Sequence, residues 1–567
     1  MGIILWAQLA NNNHNIALGG FYLRLPFFSK RKQEQKKEEF SPSDLAQRQV
    51  EQKTKLRSSA KDNAEALQEL MGKDNADFTT RELTIPTTPS VEAQLCFCET
   101  MIDATALNKQ ILEPLLLSVR EIALRELPGK SVAEKIGRNL LLAGKLQNFQ
   151  FKDEVLSAAL GGQVVLFLEG SEIAMGVELR KIPERAIVEP QSETVLRGPR
   201  EGFTECLSDN KSLLRVRIKS GKLRFDSFRI GRISENEGAV IYLEGIANPK
   251  LIREIKRRIK SLDVDMVADS SVLEKLIEDH PLLVFPTTLF TERPDLVEFA
   301  LTEGRVGVML ENSPACLIAP ANFFDFFKTA EDNYIRWPYT SFIRSIRLLA
   351  GLVSIWAPAT YIAITTFHRE MLPTALALSI AGARENVPFP AFVEAFSMEL
   401  ILELVLEAGV RLPSPIGQSI GIVGAVVLGQ AAVSAQIVSP FLVIVVAITS
   451  LSSFVVPLFV AERGVRLLRF PLMILGATMG LYGIMAGMAG IVAVQTAMTS
   501  FGQPYFAPLA PFWPRTLTDI IFNPPIWMAN KRPKWLRPGN RRRQDFVVRD
   551  WAQDGENPDG EVDLSGE

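Results

Sequence analysis

Four carboxylates stand where a chain otherwise avoids charge. Glu394, Glu399, Glu403 and Glu407 lie in or beside residues 392–406, which read FVEAFSMELILELVL. Glu399, Glu403 and Glu407 recur every fourth residue, so a helix carries them along one face. Charge facing lipid is costly, and an acidic stripe inside an apolar block therefore faces a watery cavity or lies at an interface. Two readings stand: a cation-attracting vestibule or pore lining, and a helix lying flat on a membrane surface. Gln418, Gln430 and Gln436 add further polar groups to apolar stretches, as does Gln495. They tie helices together within one chain or line a conduit around a symmetric oligomer.

Other chemistry finds no constellation. There is no Gly-rich phosphate loop with its Lys and Ser or Thr, no nucleophile elbow and no pair of metal ligands at ligand spacing. The reading is therefore not an enzyme, with no cofactor and no metal. Cys96 and Cys98 are two apart in an extended run and share one strand face, as small buried hydrophobes of a reducing compartment. A formal net charge of −2 argues against a nucleic-acid partner, which needs a basic surface to displace counterions. Arg197 and Arg200, in the connector RGPREGFTE at 197–205, could hold an anion or carboxylate across a subdomain joint. As solvated charges on a rigid linker they would do nothing more.

The elements that would position these groups differ sharply between the two halves. A charged fraction of 22% and a mean hydropathy of +0.12 suit a soluble protein, but residues 348–499 are far more apolar than the rest. Residues 348–367, 416–433, 437–460 and 471–498 are each long enough to cross a bilayer, so at least four spans are expected. Arg336, Arg344 and Arg347 place the start of the first on the cytosolic side. Arg463, Arg466 and Arg469 mark the loop before the last span as cytosolic, and a second basic cluster at 531–543 has the same preference. One helix between them cannot satisfy both. Gly417 and Gly421, Gly476 and Gly480, and Gly483 and Gly487 are each four apart, the spacing that lets helix backbones pack closely in lipid.

Before the apolar block, residues 1–77 read as a flexible tether with a short helix near 64–71, because 29–74 carry few large apolar groups. No basic leader or cleavage site follows MGIILWAQLA, which leaves the first soluble part in the cytosol. Residues 78–330 alternate β-like runs with amphipathic helices, an α/β pattern. They also repeat. LCFCETMID (95–103) matches VIYLEGIAN (240–248), and GQVVLFLEGS (162–171) matches GRVGVMLENS (304–313), both displaced by about 145 residues. The expected architecture is two related cytosolic α/β subdomains (78–196 and 197–330), a helical polytopic transmembrane domain (336–500) and a tail (501–567).

The strings EPQSETVLRGPREGFTE (189–205), YLEGIANPKLI (242–252), LIEDHPLLVFPTTLFTERPD (276–295) and LIAPANFFDFF (317–327) resemble the soluble half of the spore germination receptor A-subunit family. TTFHREMLPT, RENVPFPAFVEA, EAGVRLPSPIGQSIGIVGA and GQAAVSAQIVSP resemble its membrane half. The resemblance implies a subunit of the inner spore membrane working with a transporter-like B subunit and a lipoprotein C subunit. Nutrient recognition would fall to B, while the A subunit forms a homo-oligomeric ring with a gated path for small cations. Ser434 and Gln436 depart from the family pattern, which has an acidic and a small residue there. A secondary transporter with broken helices around Pro373 to Pro390 and a non-conducting scaffold are the alternatives.

Overall fold

The computed structural model describes residues 54–72, 75–86, 90–117, 146–180, 190, 193–411, 429–513, 520 and 522–544. Two five-stranded sheets dominate the first half. In the first, β1 (Phe78–Ile85), β2 (Val91–Cys98), β3 (Leu146–Phe149), β4 (Gln163–Leu168) and β5 (Ala174–Glu178) are ordered β1-β2-β4-β5-β3. In the second, β6 (Leu223–Ile230), β7 (Asn236–Leu243), β8 (Leu289–Thr291), β9 (Val306–Leu310) and β10 (Cys316–Ala319) are ordered β6-β7-β9-β10-β8. Strand for strand the order is the same, and every pairing is antiparallel. The repeated strings fall on β2 and β7 and on β4 and β9. Even the caps correspond: Asp103 and Asn248 each open the helix after the matched strand by accepting from backbone amides.

Alternation along each strand dictates three layers. In the first subdomain Leu95 and Phe97 face a helical run over Ala104–Leu117, while Cys96 and Cys98 face α1 (Ala60–Met71) and α2 (Lys152–Leu160). Burial pushes both thiols up to about 12, which suits packing and not reactivity. In the second subdomain α3 (Leu207–Arg217) covers one face, and α4 (Pro249–Lys260) and α5 (Ser270–Ile277) cover the other. The helix α6 (Pro294–Glu303) joins α3 on its face. The expected tether boundary at residue 77 cuts through this design. Ala60, Ala64, Leu67 and Met71 are spaced at helical intervals and bury α1 in the first subdomain.

The second half is helical. α7 (Trp337–Thr366), α8 (Thr374–Arg384), α9 (Ala391–Arg411), α10 (Pro440–Phe454) and α11 (Phe459–Ala497) follow in order. Among the described residues α7 and α11 are long and apolar enough to cross a membrane. The expected span at 416–433 lies largely outside the described residues.

A straight helix of α11's length would run about 58 Å, yet both of its ends meet one loop of the second subdomain. Near its start Gly464 packs on Val284 and Phe285, and just beyond its end Ser500 Oγ donates to the Thr287 carbonyl at 2.6 Å. The chain reverses at Gly480, whose φ of 61° and ψ of −142° only glycine adopts readily. Gly483 and Gly487 then lie against Leu475 and Leu472 of the incoming limb. The single expected span at 471–498 is thus two antiparallel limbs. Arg463, Arg466 and Arg469 are not in a loop but in the first limb, and the basic cluster at 531–543 is bonded to the second subdomain, which also meets both ends of α11.

Candidate functional site

The acidic stripe is a column of ion pairs. Along α9 it spans about 20 Å from Glu394 to Glu407. Glu394 is buried; its Oε1 accepts from the Ser439 amide, and Oε2 lies 3.6 Å from Arg384 Nε. Ser439 Oγ also meets the Tyr361 hydroxyl at 3.0 Å. Glu399, only 2% exposed, is paired through Oε2 with the Arg469 guanidinium. Arg469 in turn donates to the Ser354 carbonyl at 3.0 Å and to Ser354 Oγ at 2.9 Å, so one guanidinium joins α7, α9 and α11. Glu403 lies 3.4 Å from Arg466, which also faces Glu462 at 3.7 Å. Glu407 is exposed and paired with Arg411 one turn on.

Steps of four along α9 meet a step of three along the first limb of α11, as antiparallel neighbouring helices require. The pairing is incomplete. Glu394 Oε2 and Glu399 Oε1 have no hydrogen-bond partner among the described residues, although both are buried. An unsatisfied buried carboxylate oxygen is expensive, and such groups are places where water or a cation is accommodated.

The remaining expected residues separate clearly. Gln430 and Gln436 are both exposed, away from the buried pairs, and Gln436 has a left-handed φ of 56° in the turn before α10. Gln418, Gly417 and Gly421 lie outside the described residues. Gly476 is a close approach between helices, since a Cβ there would stand 2.8 Å from the Ala359 carbonyl oxygen of α7. Gly480 packs on His368 at the end of that same helix. Arg197 and Arg200 are exposed. The residue that holds their connector is Arg293, which is buried, donates to the carbonyls of Glu193 and Pro199, and pairs bidentately with Asp295.

Three further acids, which no motif in the sequence marks, make buried ion pairs. Asp77 pairs with Arg215 across the two subdomains at 2.8 Å, both side chains fully buried. Asp325 pairs with Arg305 at 2.7 Å. Burial would raise the Asp325 carboxyl, but Arg305 and Lys328 hold it well below the ordinary range. Asp332, capping a short turn before α7, binds Arg344 at 2.7 Å and Arg347 at 2.9 Å. Asp332 therefore holds the base of α7 to the turn that follows the second subdomain.

One apolar crevice of about 340 Å³ opens between α7, α8 and α10, lined by residues such as Trp356, Ile364, Leu372, Ile380 and Ile448. It lacks the convergent polar groups that orient a small nutrient. No cluster of three or more His, Cys, Asp or Glu suited to a metal occurs among the described residues.

The Bacillus/Clostridium GerA spore germination protein model matches residues 65–535. Spore germination protein KA of Bacillus subtilis is 37% identical over 487 residues, covering 86% of this chain and 88% of the relative. YfkQ, a membrane protein of Bacillus subtilis, is 39% identical over 404 residues, covering 71% and 78%. The crystal structure of the N-terminal domain of the A subunit of the Bacillus megaterium spore germinant receptor GerK3 is 28% identical, with a TM-score of 0.38, over 48% of this chain and 98% of that one.

Proposed function

The chain belongs to the Bacillus/Clostridium GerA spore germination protein family, and from that premise we propose that it is the A subunit of a germinant receptor that oligomerises into a nutrient-gated cation conduit. Its place on this reading is the inner spore membrane, with the duplicated subdomains on the cytosolic side. A transporter-like B subunit and a lipoprotein C subunit are its partners. Recognition of the nutrient belongs to B, in keeping with the apolar crevice found here.

The observation that carries conduction is the buried, incompletely satisfied pair of acids at Glu394 and Glu399 among apolar helices. Charge in such a setting is retained for ion pathways more often than for stability. On this reading the Asp332 pairs couple the base of α7 to the turn after the soluble half, and Arg469 couples α7 to α9 and α11. The test is cation flux from vesicles or vegetative cells containing the chain with its B and C partners. Flux should appear on adding nutrient and only with the full set.

A non-conducting scaffold is favoured by one observation, namely that each acid of the column faces a cation of the same chain. Silence from a fully assembled and inserted complex would select it.

A further inference from the structure

The basic cluster of the tail takes no part in the ion pairs above. Residues 531–543 read KRPKWLRPGNRRR, seven cations among thirteen residues without an acid. They form a narrow loop in which the Arg532 amide donates to the Arg541 carbonyl and the Arg543 amide to that of Asn530. The loop is clamped. Trp535 and Leu536 are buried against Ala507, and Arg305 lies 5.2 Å from the Trp535 ring centre. Arg532 Nε donates to the Thr302 carbonyl at 2.6 Å, and the Gly539 amide to that of Ile246 at 2.9 Å.

With its apolar side pinned, the loop displays its charge. Lys531, Lys534, Arg537, Arg541, Arg542 and Arg543 are all exposed. Lys531, Arg537, Arg541 and Arg543 have no acidic partner among the described residues. Like charge is felt within the loop, where burial and then Arg543 lower the Arg532 guanidinium from its ordinary value.

The surroundings say what would cover this charge. The Asn523 amide donates to Ser341 Oγ at 3.1 Å, fixing the tail to the first turns of α7. There Trp337, Tyr339 and Phe342 are exposed, and so are Phe512, Phe522 and Trp527 of the tail. Lys534 Nζ sits 5.9 Å from the ring of Trp513. Exposed aromatic rings around the base of an apolar helix mark the depth where a bilayer meets water. With α7 in a bilayer, a cationic loop that follows these rings in the chain and is clamped to the subdomain before α7 is placed to meet lipid headgroups.

We infer that residues 531–543 are a docking loop for anionic phospholipid headgroups in the leaflet next to the soluble domain, locking the second subdomain and the base of α7 to the membrane surface. This rests on the helical region being membrane-embedded.

The test uses the full-length protein in bilayers of phosphatidylcholine containing a minority of phosphatidylglycerol. After detergent exchange, the ratio of the two lipids retained by the protein is compared with that of the bulk bilayer. The wild type retains phosphatidylglycerol in several-fold excess, and the excess falls as salt is raised. The combined change Lys531→Gln, Arg537→Gln, Arg541→Gln and Arg543→Gln lowers it to the bulk ratio. A control removing equal charge from exposed positions elsewhere (Lys219, Lys250, Arg253 and Lys260→Gln) keeps it. No enrichment, equal enrichment in the quadruple variant, or displacement by millimolar glycerophosphate alone would overturn the inference. Extraction of the wild type by alkaline carbonate would instead overturn the membrane reading, and this inference with it.

Discussion

Two buried ion pairs, one in each half of the molecule, are built differently. At the subdomain joint Arg215 gives Nε to Asp77 at 2.9 Å, directs its remaining nitrogens to the carbonyls of Ser220 and Leu223, and stacks on Phe225. The other oxygen of Asp77 accepts from the amide and hydroxyl of Thr100. Every group is used, and the pair fixes one arrangement. In the helical half Arg469 is equally well held, but Glu399 engages one oxygen and leaves the other without a hydrogen bond among the described residues, and Glu394 Oε2 has only the Arg384 guanidinium at 3.6 Å. A closed network gives rigidity, whereas an open one keeps capacity for a ligand, water or ion. On the proposed function, the difference separates a pair that only holds the fold from one that serves conduction.

The comparison can be broken most forcefully at its closed end. Arg215→Met leaves Asp77 buried without a cation, and a loss of about 3–5 kcal/mol is expected in denaturant unfolding of the soluble half. Hydrogen exchange should localise it to β1 and the turn around Thr100. In the helical half the larger sensitivity lies in the backbone. Gly480→Ala forces a side chain into a glycine conformation 2.8 Å from His368 Nε2, costing about 1–3 kcal/mol, which should appear as new proteolytic cleavage between the two limbs of α11 relative to the wild type. Gln436→Gly works the other way. It relieves a left-handed backbone and should raise thermal stability by about 1 kcal/mol.

The smallest effect is one of pH at the connector. Burial pushes the Glu193 carboxyl up to about 7 from an ordinary 4.5, against the hydrogen bond from Thr291. Its folded value is raised, so its contribution is full below about pH 4.5 and is lost as pH climbs through about 7. Exchange protection of residues 193–200 should therefore fall between about pH 4.5 and 7 and level off above, and Glu193→Gln should flatten that slope.

The duplication was legible because strings on β2 and β4 recur on β7 and β9, down to capping residues of like chemistry. α7 was legible from hydropathy alone, and α9 from the spacing of its acids. The partners of those acids were not. Arg466 and Arg469 look like topology signals until α11 is known to double back, and that reversal turns on the backbone of Gly480. Four-residue glycine spacing describes a tight turn and a helix contact equally well. Asp77 and Arg215 are 138 residues apart, and no local pattern links them. α1 was legible in part, as a short helix near 64–71; its packing was not, because the polar residues between Ala60, Ala64, Leu67 and Met71 resemble a linker.

The most direct test compares Glu399→Gln with Glu407→Gln in the reconstituted receptor, measuring nutrient-triggered cation flux at matched insertion. The open buried acid should matter, and the exposed one, paired only with Arg411 on its own helix, should not. Flux strongly altered by Glu399→Gln and unchanged by Glu407→Gln would bear out the account. Equal flux from both variants and the wild type would contradict it.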